Sequence, residues 1–169
     1  MMHPEVSPEK LATLRERVQA VHQRFPQGRT ALIQALHEAR WLFRWIPPEA
    51  VSVIAEELGI HEAEVREVGS FYQYFKFEPV VGRYHFRICT NITCMIHGAY
   101  SLLEHLQERL GIGPGEITGD GRFSVEEVEC IGCGDRSPAI LVNDTRFEGV
   151  TPEVLDQLID QALKDELDA

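Results

Sequence analysis

The chain has 169 residues, which is enough for one ordinary domain or two small ones. Hydrophobic residues make up 44% and charged residues 25%, a globular balance that allows a buried core. The net charge of -11 argues against general binding to nucleic acid or to anionic membranes, because both need a basic surface.

The first half of the chain has the periodicity of four short helices. Ser7 can cap the first helix and Pro8 suits its first position, so this helix should begin there and end near Phe25. The other three should span about 30–46, 48–59 and 61–78, the last carrying an apolar stripe of Val65, Val68, Phe71, Tyr72 and Phe75. Short loops between the helices predict a small helical bundle.

The second half changes to alternating patterns interleaved with helical ones. Strands are predicted at Tyr84–Cys89, Phe123–Glu129, Ala139–Val142 and Arg146–Gly149. Helices are predicted at Gly98–Leu110 and after Thr151, which can cap the last one. This interleaving predicts a small α/β layer, joined to the bundle by a linker around residues 79–82.

The N-terminal stretch MMHPEVSPEK has no basic start followed by an apolar run. No segment reaches the ~18 apolar residues of a membrane span. We therefore expect a soluble, cytoplasmic chain without direct membrane insertion. Cytoplasmic thiols stay reduced, so clustered cysteines there indicate metal or redox chemistry before structural disulfides.

All four cysteines lie in the second half, in two pairs that each follow a predicted strand. The first pair is Cys89-x4-Cys94 and the second is Cys130-x2-Cys133. Strands of the same direction end at one edge of a sheet, so the two loops can bring four sulfurs together. Gly132 and Gly134 flank the last cysteine, and we expect unusual backbone angles at one or both, since only glycine enters positive φ at little cost.

Four explanations of the cysteine pattern stay open from the residues alone. A thioredoxin-like dithiol needs only Cys130 and Cys133 and leaves the other pair unexplained. A zinc site can take four thiolates, although structural zinc more often uses shorter knuckles than C-x4-C. A 2Fe–2S cluster also takes four thiolates and tolerates unequal spacings, and buried inert cysteines are the fourth explanation. Spacing alone favours the cluster.

Longer stretches around the cysteines resemble a known family. The segments ICTNITCMIHGA, GIGPGEITGDGRFSVEEVECIG and SPAILVND are similar to the thioredoxin-like 2Fe–2S ferredoxin subunit of the NADH dehydrogenase module of respiratory complex I. WIPPEAVSVIAEELGI and EVREVGSFYQYFKF are similar to the helical region of that subunit. The resemblance spans about residues 10 to 165. The same subunit type occurs in NAD-linked hydrogenases and formate dehydrogenases, so the parent enzyme stays open.

The resemblance implies an α+β chain. An N-terminal helical bundle, residues 1–79, would serve partner docking, and a thioredoxin-like domain, residues 80–169, would hold one 2Fe–2S cluster. The implied ligands are Cys89, Cys94, Cys130 and Cys133. The family normally spaces its last pair as C-x3-C, which would put the fourth ligand at position 134. Gly134 stands there in this chain, and the cysteine comes one residue earlier.

The resemblance also implies an electron-transfer subunit of NADH:quinone oxidoreductase, without a complete active site or catalytic residue of its own. FMN and NADH would bind a partner flavoprotein subunit, and the cluster would exchange single electrons with that FMN. Larger iron–sulfur subunits would be further partners, and the complex would hold the chain peripherally at the inner face of the cell membrane. A zinc-stabilised interaction module is the rival function.

The aromatic residues at the end of the fourth helix exceed what one bundle face can bury. We expect Phe71, Phe75 and Tyr72 in the core. Tyr74 and Phe77, with Trp41 or Trp45, are expected in a docking surface for the flavoprotein, because aromatic anchors dominate such interfaces.

Overall fold

The computed structural model describes residues 6–79 and 82–167. Contacts divide the chain into two compact units, Met1–Pro79 and Val80–Ala169. Residues 1–5, which begin the N-terminal stretch, and Val80 and Val81 of the expected linker lie outside the described residues. No helix within 6–79 or 82–167 has the length and apolar character to cross a membrane.

The first unit is a bundle of four helices, as the periodicity predicts. They are α1 (Pro8–Arg24), α2 (Gly28–Phe43), α3 (Pro48–Leu58) and α4 (Glu62–Phe71). The Ser7 side chain caps α1 by accepting a hydrogen bond from the Lys10 N–H at 3.2 Å. Fully buried aliphatic side chains form the core, among them Leu14, Leu32, Leu36 and Ile54.

The fourth helix ends earlier than the sequence predicts. Its last residue is Phe71, and Tyr72 already has extended backbone angles. The Ile46 N–H donates to the Lys76 carbonyl at 2.7 Å, so the segment after α4 pairs with the loop after α2 instead of continuing as a helix. Phe75 is buried as expected, but Phe71 is 82% exposed and Tyr72 40% exposed. The core prediction is wrong for Phe71 and Tyr72, because α4 ends at Phe71 and the apolar stripe does not continue beyond it.

The aromatic residues expected in a docking surface are also distributed differently. Trp41 is 56% exposed, whereas Trp45 is buried in the core. Tyr74 and Phe77 are half-buried and pack against the core. A Cβ at Gly69 would lie 2.5 Å from the Phe77 ring, so this ring is packed closely over α4. Of these four, only Trp41 is largely exposed.

The second unit is a four-stranded mixed sheet with three helices. Its elements are β1 (Tyr84–Cys89), α5 (Ile92–Ile96), α6 (Ala99–Leu110), β2 (Phe123–Val128), β3 (Ile140–Val142), β4 (Thr145–Phe147) and α7 (Pro152–Leu163). The strand order is β2-β1-β3-β4; β1 and β2 are parallel, and the other neighbours are antiparallel. The α+β fold class is confirmed, and each predicted strand is present within two residues of its expected bounds.

The central strand β1 is buried at all six positions. Its polar residue His85 is accommodated by hydrogen bonds across to β2, where the ring nitrogens lie 2.7 Å from Ser124 Oγ and 2.9 Å from Glu126 Oε2. Ser124 Oγ also accepts the Gly82 N–H at 2.8 Å. The parallel pair therefore keeps its register through polar as well as apolar contacts.

Candidate metal centre

The two cysteine loops leave the sheet at the same edge. Cys89, the last residue of β1, is paired in register with Val128, the last residue of β2. The Thr90 N–H donates to the Val128 carbonyl at 2.9 Å, so the backbones that continue from β1 and β2 remain hydrogen-bonded where the loops begin. This confirms the prediction that both loops lie at one strand-end edge.

The first pair of cysteines lies in regular secondary structure. Cys89 ends β1 and Cys94 lies in α5, which begins after Asn91, whose side chain accepts the Thr93 N–H. Both cysteines are buried. Cys89 Sγ lies 4.0 Å from the Glu129 carbonyl oxygen, and Cys94 Sγ lies 3.3 Å from Ser137 Oγ. Glu129 and Ser137 flank the second pair of cysteines, so the chain around that pair already contacts the first pair.

The surroundings of the two buried thiols shift their pKa values in opposite directions. Burial is the largest influence on the Cys89 thiol and raises its pKa; the backbone of Asn91 and Ile131 acts in the opposite direction, and Cys94 raises the pKa further. Burial also acts to raise the pKa of Cys94, but hydrogen bonds from the Ser137 hydroxyl, the Ala139 N–H and Cys89 outweigh it. The pKa of Cys94 is therefore lowered, and its thiolate is the more stabilised of the pair.

The two cysteines of the second pair differ in solvent exposure and in hydrogen-bond partner. Cys130 is exposed, and its sulfur accepts the Gly132 N–H at 3.3 Å. Cys133 is buried, and its thiol donates to Glu148 Oε1 at 3.2 Å. Arg146 lies 2.9 Å and Arg136 lies 3.4 Å from the same carboxylate. The hydrogen bond to Glu148, followed by burial, raises the pKa of the Cys133 thiol against the opposing charge of Arg146.

The loop glycines confirm one part of the sequence prediction. Gly132 has φ +73, in the region that favours glycine. Gly134 instead opens a 3-10 turn, Gly134–Arg136, and its φ lies outside the positive region. The backbone irregularity is therefore placed between the two cysteines, before Cys133.

Hydrogen-bond donors lie beside two of the cysteine sulfurs. The Gly132 N–H donates to Cys130 Sγ at 3.3 Å, and Ser137 Oγ lies 3.3 Å from Cys94 Sγ. Hydrogen bonds to sulfur are among the features by which a protein stabilises an iron–sulfur cluster. To join such a cluster, Cys133 would have to turn away from Glu148. Within 6–79 and 82–167, no three His, Cys, Asp or Glu side chains are gathered as a metal site in this arrangement.

Sequence reasoning missed two side chains that contact the cysteines. Ser137 Oγ lies 3.3 Å from Cys94 Sγ although the residues are 43 positions apart. Glu148 meets Cys133 from 15 positions away, just beyond β4. No local sequence pattern predicts the contact of Ser137 with Cys94 or of Glu148 with Cys133, because these residues meet only when the sheet folds.

The two cysteine loops lie at one edge of the sheet, with an amide donor at Cys130 and a hydroxyl beside Cys94. Residues 18–163 match the family described as thioredoxin-like 2Fe-2S ferredoxin. The chain belongs to this family, which confirms the resemblance and the thioredoxin-like fold expected from it. Family membership also favours the cluster over the zinc site and the dithiol.

Several relatives belong to one oxidoreductase complex. NADH-quinone oxidoreductase subunit 2 of Thermus thermophilus is 43% identical over 136 residues, which are 79% of this chain and 75% of the relative. A relative from the NADH-quinone oxidoreductase of Rhizobium meliloti is 36% identical over 148 residues, 88% of each chain. A third, from the same type of enzyme in Aquifex aeolicus, is 34% identical over 152 residues, covering 90% of this chain and 92% of the relative. These names support an electron-transfer role.

A solved structure of an NAD+-reducing NiFe-hydrogenase in the air-oxidized state is also similar. Its TM-score is 0.69 at 27% identity. The match covers 79% of this chain and 23% of the hydrogenase chain, so this chain spans about a quarter of that protein.

Proposed function

We propose that this chain is the electron-transfer subunit of an NADH:quinone oxidoreductase, with one 2Fe–2S cluster bound by Cys89, Cys94, Cys130 and Cys133. The cluster would supply one-electron chemistry. FMN and NADH would bind a partner flavoprotein subunit, with which this chain exchanges single electrons. The relatives named as subunits of that enzyme support this proposal. The chain alone would have no complete active site.

The observation that carries the proposal is the contact between the two loops. Cys89 Sγ lies 4.0 Å from the Glu129 carbonyl oxygen, and Cys94 Sγ lies 3.3 Å from Ser137 Oγ. Cys130 directly follows Glu129 on the same loop. If Cys133 rotates from Glu148 toward Cys89, Cys94 and Cys130, it would supply the fourth thiolate ligand. Gly132, which has a positive φ, gives the loop the backbone freedom for that change.

The charge distribution supports a centre of low reduction potential. Residues 80–169 contain 16 Asp and Glu but 7 Lys and Arg, so they hold nine of the eleven net negative charges of the chain. Reduction adds a further negative charge to a site that four thiolates already make anionic. An acidic surround opposes that addition, which lowers the potential.

The first unit offers an aromatic surface for partner docking. Ring contacts with centroid distances of 5.0 to 6.2 Å run from Trp41 through His37, Phe75 and Tyr72 to Phe71. The two ends of this run are 56% and 82% exposed, an unusual state for side chains of this size. We propose that this aromatic run contacts the flavoprotein or the larger iron–sulfur subunits. The complex would then hold the chain at the inner face of the cell membrane.

Docking can be tested by co-expression with the flavoprotein subunit. The double variant Trp41→Ala with Phe71→Ala should lose co-purification, because it removes both exposed anchors. Ile33→Ala is the matched control, since Ile33 is 37% exposed and lies outside the aromatic run. Retention of the flavoprotein by the double variant would remove this surface from the proposal.

A second candidate function is the same role in an NAD-linked hydrogenase or formate dehydrogenase. The similarity to the NAD+-reducing hydrogenase favours it. Affinity purification from the native cells separates the two, because a hydrogenase or formate dehydrogenase subunit would accompany the chain in place of quinone-reducing partners.

The cluster itself is tested by anaerobic reconstitution with iron and sulfide. We expect two iron and two acid-labile sulfide per chain, a brown colour that bleaches with dithionite, and an S = 1/2 EPR signal after reduction. A colourless protein with one tightly bound zinc would instead establish the zinc-stabilised interaction module. Turnover of a disulfide substrate by Cys130 and Cys133 alone would establish the dithiol.

A further inference from the structure

Ser137 is a hydroxyl placed against a proposed ligand sulfur. It follows the 3-10 turn Gly134–Arg136 and precedes Pro138, where the chain returns toward β3. Its Oγ lies 3.3 Å from Cys94 Sγ and 3.1 Å from the Gly134 carbonyl oxygen. The side chain is half-buried, so solvent competes only partly for these contacts.

The hydroxyl proton of Ser137 can be donated either to Cys94 Sγ or to the Gly134 carbonyl oxygen. When Cys94 is a thiol, its S–H donates to Ser137 Oγ and the hydroxyl donates to the Gly134 carbonyl. When Cys94 is a thiolate, the sulfur has no proton to give, and the hydroxyl turns to donate to it. Rotation about one C–O bond makes the exchange, without movement of the backbone.

The two cysteines of the first pair differ in their hydrogen-bond partners. Both are 1% exposed. Cys94 Sγ has the Ser137 hydroxyl at 3.3 Å, whereas Cys89 Sγ contacts a backbone carbonyl, that of Glu129, at 4.0 Å. The hydroxyl therefore distinguishes two sulfurs that are otherwise equally buried.

The other cysteine contacts have a different character. Cys130 accepts a backbone amide of its own loop, and Cys133 donates to a carboxylate. Among the hydrogen bonds of the described residues, Ser137 provides the one side-chain hydroxyl at a cysteine sulfur. Thr90 also lies at this edge, but its hydroxyl donates to the Val128 carbonyl at 3.3 Å.

We propose that Ser137 is a positioning residue that raises the reduction potential of the centre by donating a hydrogen bond to the Cys94 thiolate; this rests on the proposed function. Electron density on the ligand sulfurs increases when the centre gains an electron, so a donor there stabilises the reduced state more than the oxidised state. Ser137 thereby offsets part of the effect of the acidic surround.

The test is a potentiometric titration of Ser137→Ala, followed by EPR in the presence of mediators and dithionite. At the wild-type midpoint potential, the ratio of reduced to oxidised centres should fall about fivefold, the factor expected for loss of one hydrogen bond. For one electron this is a shift of about 40 mV to lower potential, at about 59 mV per factor of ten. Iron and sulfide contents should equal those of the wild type.

Two variants separate the hydrogen bond from a general effect on the loop. Ser137→Thr keeps the hydroxyl and should restore the wild-type potential. Thr90→Val removes a neighbouring hydroxyl that bonds to a carbonyl, and it should leave the potential unchanged. An unchanged potential in Ser137→Ala with a fully loaded centre would overturn the role of Ser137 while leaving the cluster assignment intact. Absence of a cluster from the wild type would overturn the proposed function itself.

A measurement on the wild type keeps the proposal testable even if Ser137→Ala does not load. The reduced protein is transferred briefly into D2O, for a time too short to exchange hydrogen-bonded backbone amides, and its proton couplings are measured by ENDOR. We expect one rapidly exchanging coupled proton, from the Ser137 hydroxyl, and the same proton in Ser137→Thr. If no coupled proton exchanges rapidly, the proposed hydrogen bond is absent.

Discussion

The two cysteine loops lie at one edge of the sheet but differ in how completely the fold organises them. The first loop has both sulfurs buried, because Cys89 ends β1 and Cys94 lies in α5. The second loop leaves Cys130 exposed and directs Cys133 to Glu148. Regular secondary structure positions the first pair before any metal binds, whereas the irregular second loop does not position its pair.

This difference indicates how metal binding and folding are coupled. In the proposed cluster, the buried first pair would bind iron where it lies. Cys133 would exchange its hydrogen bond with Glu148 for a metal bond. Part of the binding free energy would then be used to reorient Cys133, and loading should stabilise the second unit.

The largest expected effect comes from Cys89→Ser. Removing a sulfur of the organised pair should abolish the visible absorbance and the bound iron, since hard hydroxyl oxygen is a poor ligand for this site. The second unit should become less stable while the circular dichroism of the helical bundle persists. Calorimetry of the wild type with and without its cluster checks the coupling, because an identical melting temperature for the two forms would show that it is absent.

Cys133→Ala tests the less organised loop in the same way. We expect complete loss of the cluster, as for Cys89→Ser, because four thiolates are needed. Iron analysis and the EPR spectrum after reduction measure the outcome. A cluster with unchanged spectra in this variant would mean that Cys133 stays with Glu148 and that another group supplies the fourth ligand.

Glu148→Gln should make the second loop easier to load. The thiol of Cys133 must lose its proton to bind iron, and the hydrogen bond to Glu148 raises its pKa. Loading should therefore increase as pH rises through that pKa. Glutamine removes the carboxylate charge, lowers the pKa of Cys133 and shifts the loading curve to lower pH.

The yield of reconstituted cluster measured from pH 6 to pH 9 would show the shift. Glu104→Gln, on α6, is the matched control, because it makes the same change of charge at an exposed helical position. An equal shift in both variants would assign the effect to net charge and not to the contact with Cys133.

Gly132→Ala should destabilise the second loop through its backbone alone. Gly132 has φ +73 and no atom within 4 Å of an added Cβ, so the cost is that of a left-handed alanine, about 1–2 kcal/mol in the free energy of unfolding. Gly134→Ala is the control, since its Cβ would meet Thr93 Oγ1 at an ordinary 3.8 Å. Urea unfolding of the second unit should separate the variants, and equal stabilities would contradict the backbone explanation.

Asp156→Asn should have the smallest effect and should act away from both loops. The Asp156 carboxylate pairs with His105 Nε2 at 3.0 Å and Arg109 Nε at 2.8 Å, which joins α7 to α6. The hydrogen bond from His105 is the largest influence and lowers the pKa of Asp156; burial opposes it, and the charges of His105 and Arg109 lower the pKa further. The stabilisation is present above the unfolded pKa of about 3.9 and is lost as pH falls through the folded pKa.

The melting temperature of Asp156→Asn should therefore be lower than that of the wild type at pH 7, and the two should converge in acid. The difference should be smaller than for Gly132→Ala, because the pair is exposed to solvent screening. Cluster loading should be unchanged. A loading defect would show that the cysteine loops depend on the packing of α6 against α7, and not only on their own contacts.

The local sequence determined the strands and helix beginnings that depend on alternation and capping within a short segment. The strand Tyr84–Cys89 and the beginning of α1 after Ser7 agree with the prediction residue for residue, because alternation and capping are properties of short segments. The Thr151 side chain likewise caps α7 by accepting the Val154 N–H. The four cysteines and the position of their loops after parallel strands were also readable from the chain, since strand direction decides which loops share an edge.

Tertiary structure decided the features that depend on partners far apart in the chain. The apolar stripe predicts that α4 continues to about residue 78, but it ends at Phe71, and the following segment pairs with the loop after α2 through the hydrogen bond between Ile46 and Lys76. Sequence could identify Cys94 and Cys133 but not the hydroxyl and the carboxylate that contact them, because Ser137 and Glu148 reach them only through the folding of the sheet. Hydrogen bonds depend on distances of a few ångströms, and for residues remote in sequence only the folded chain sets those distances.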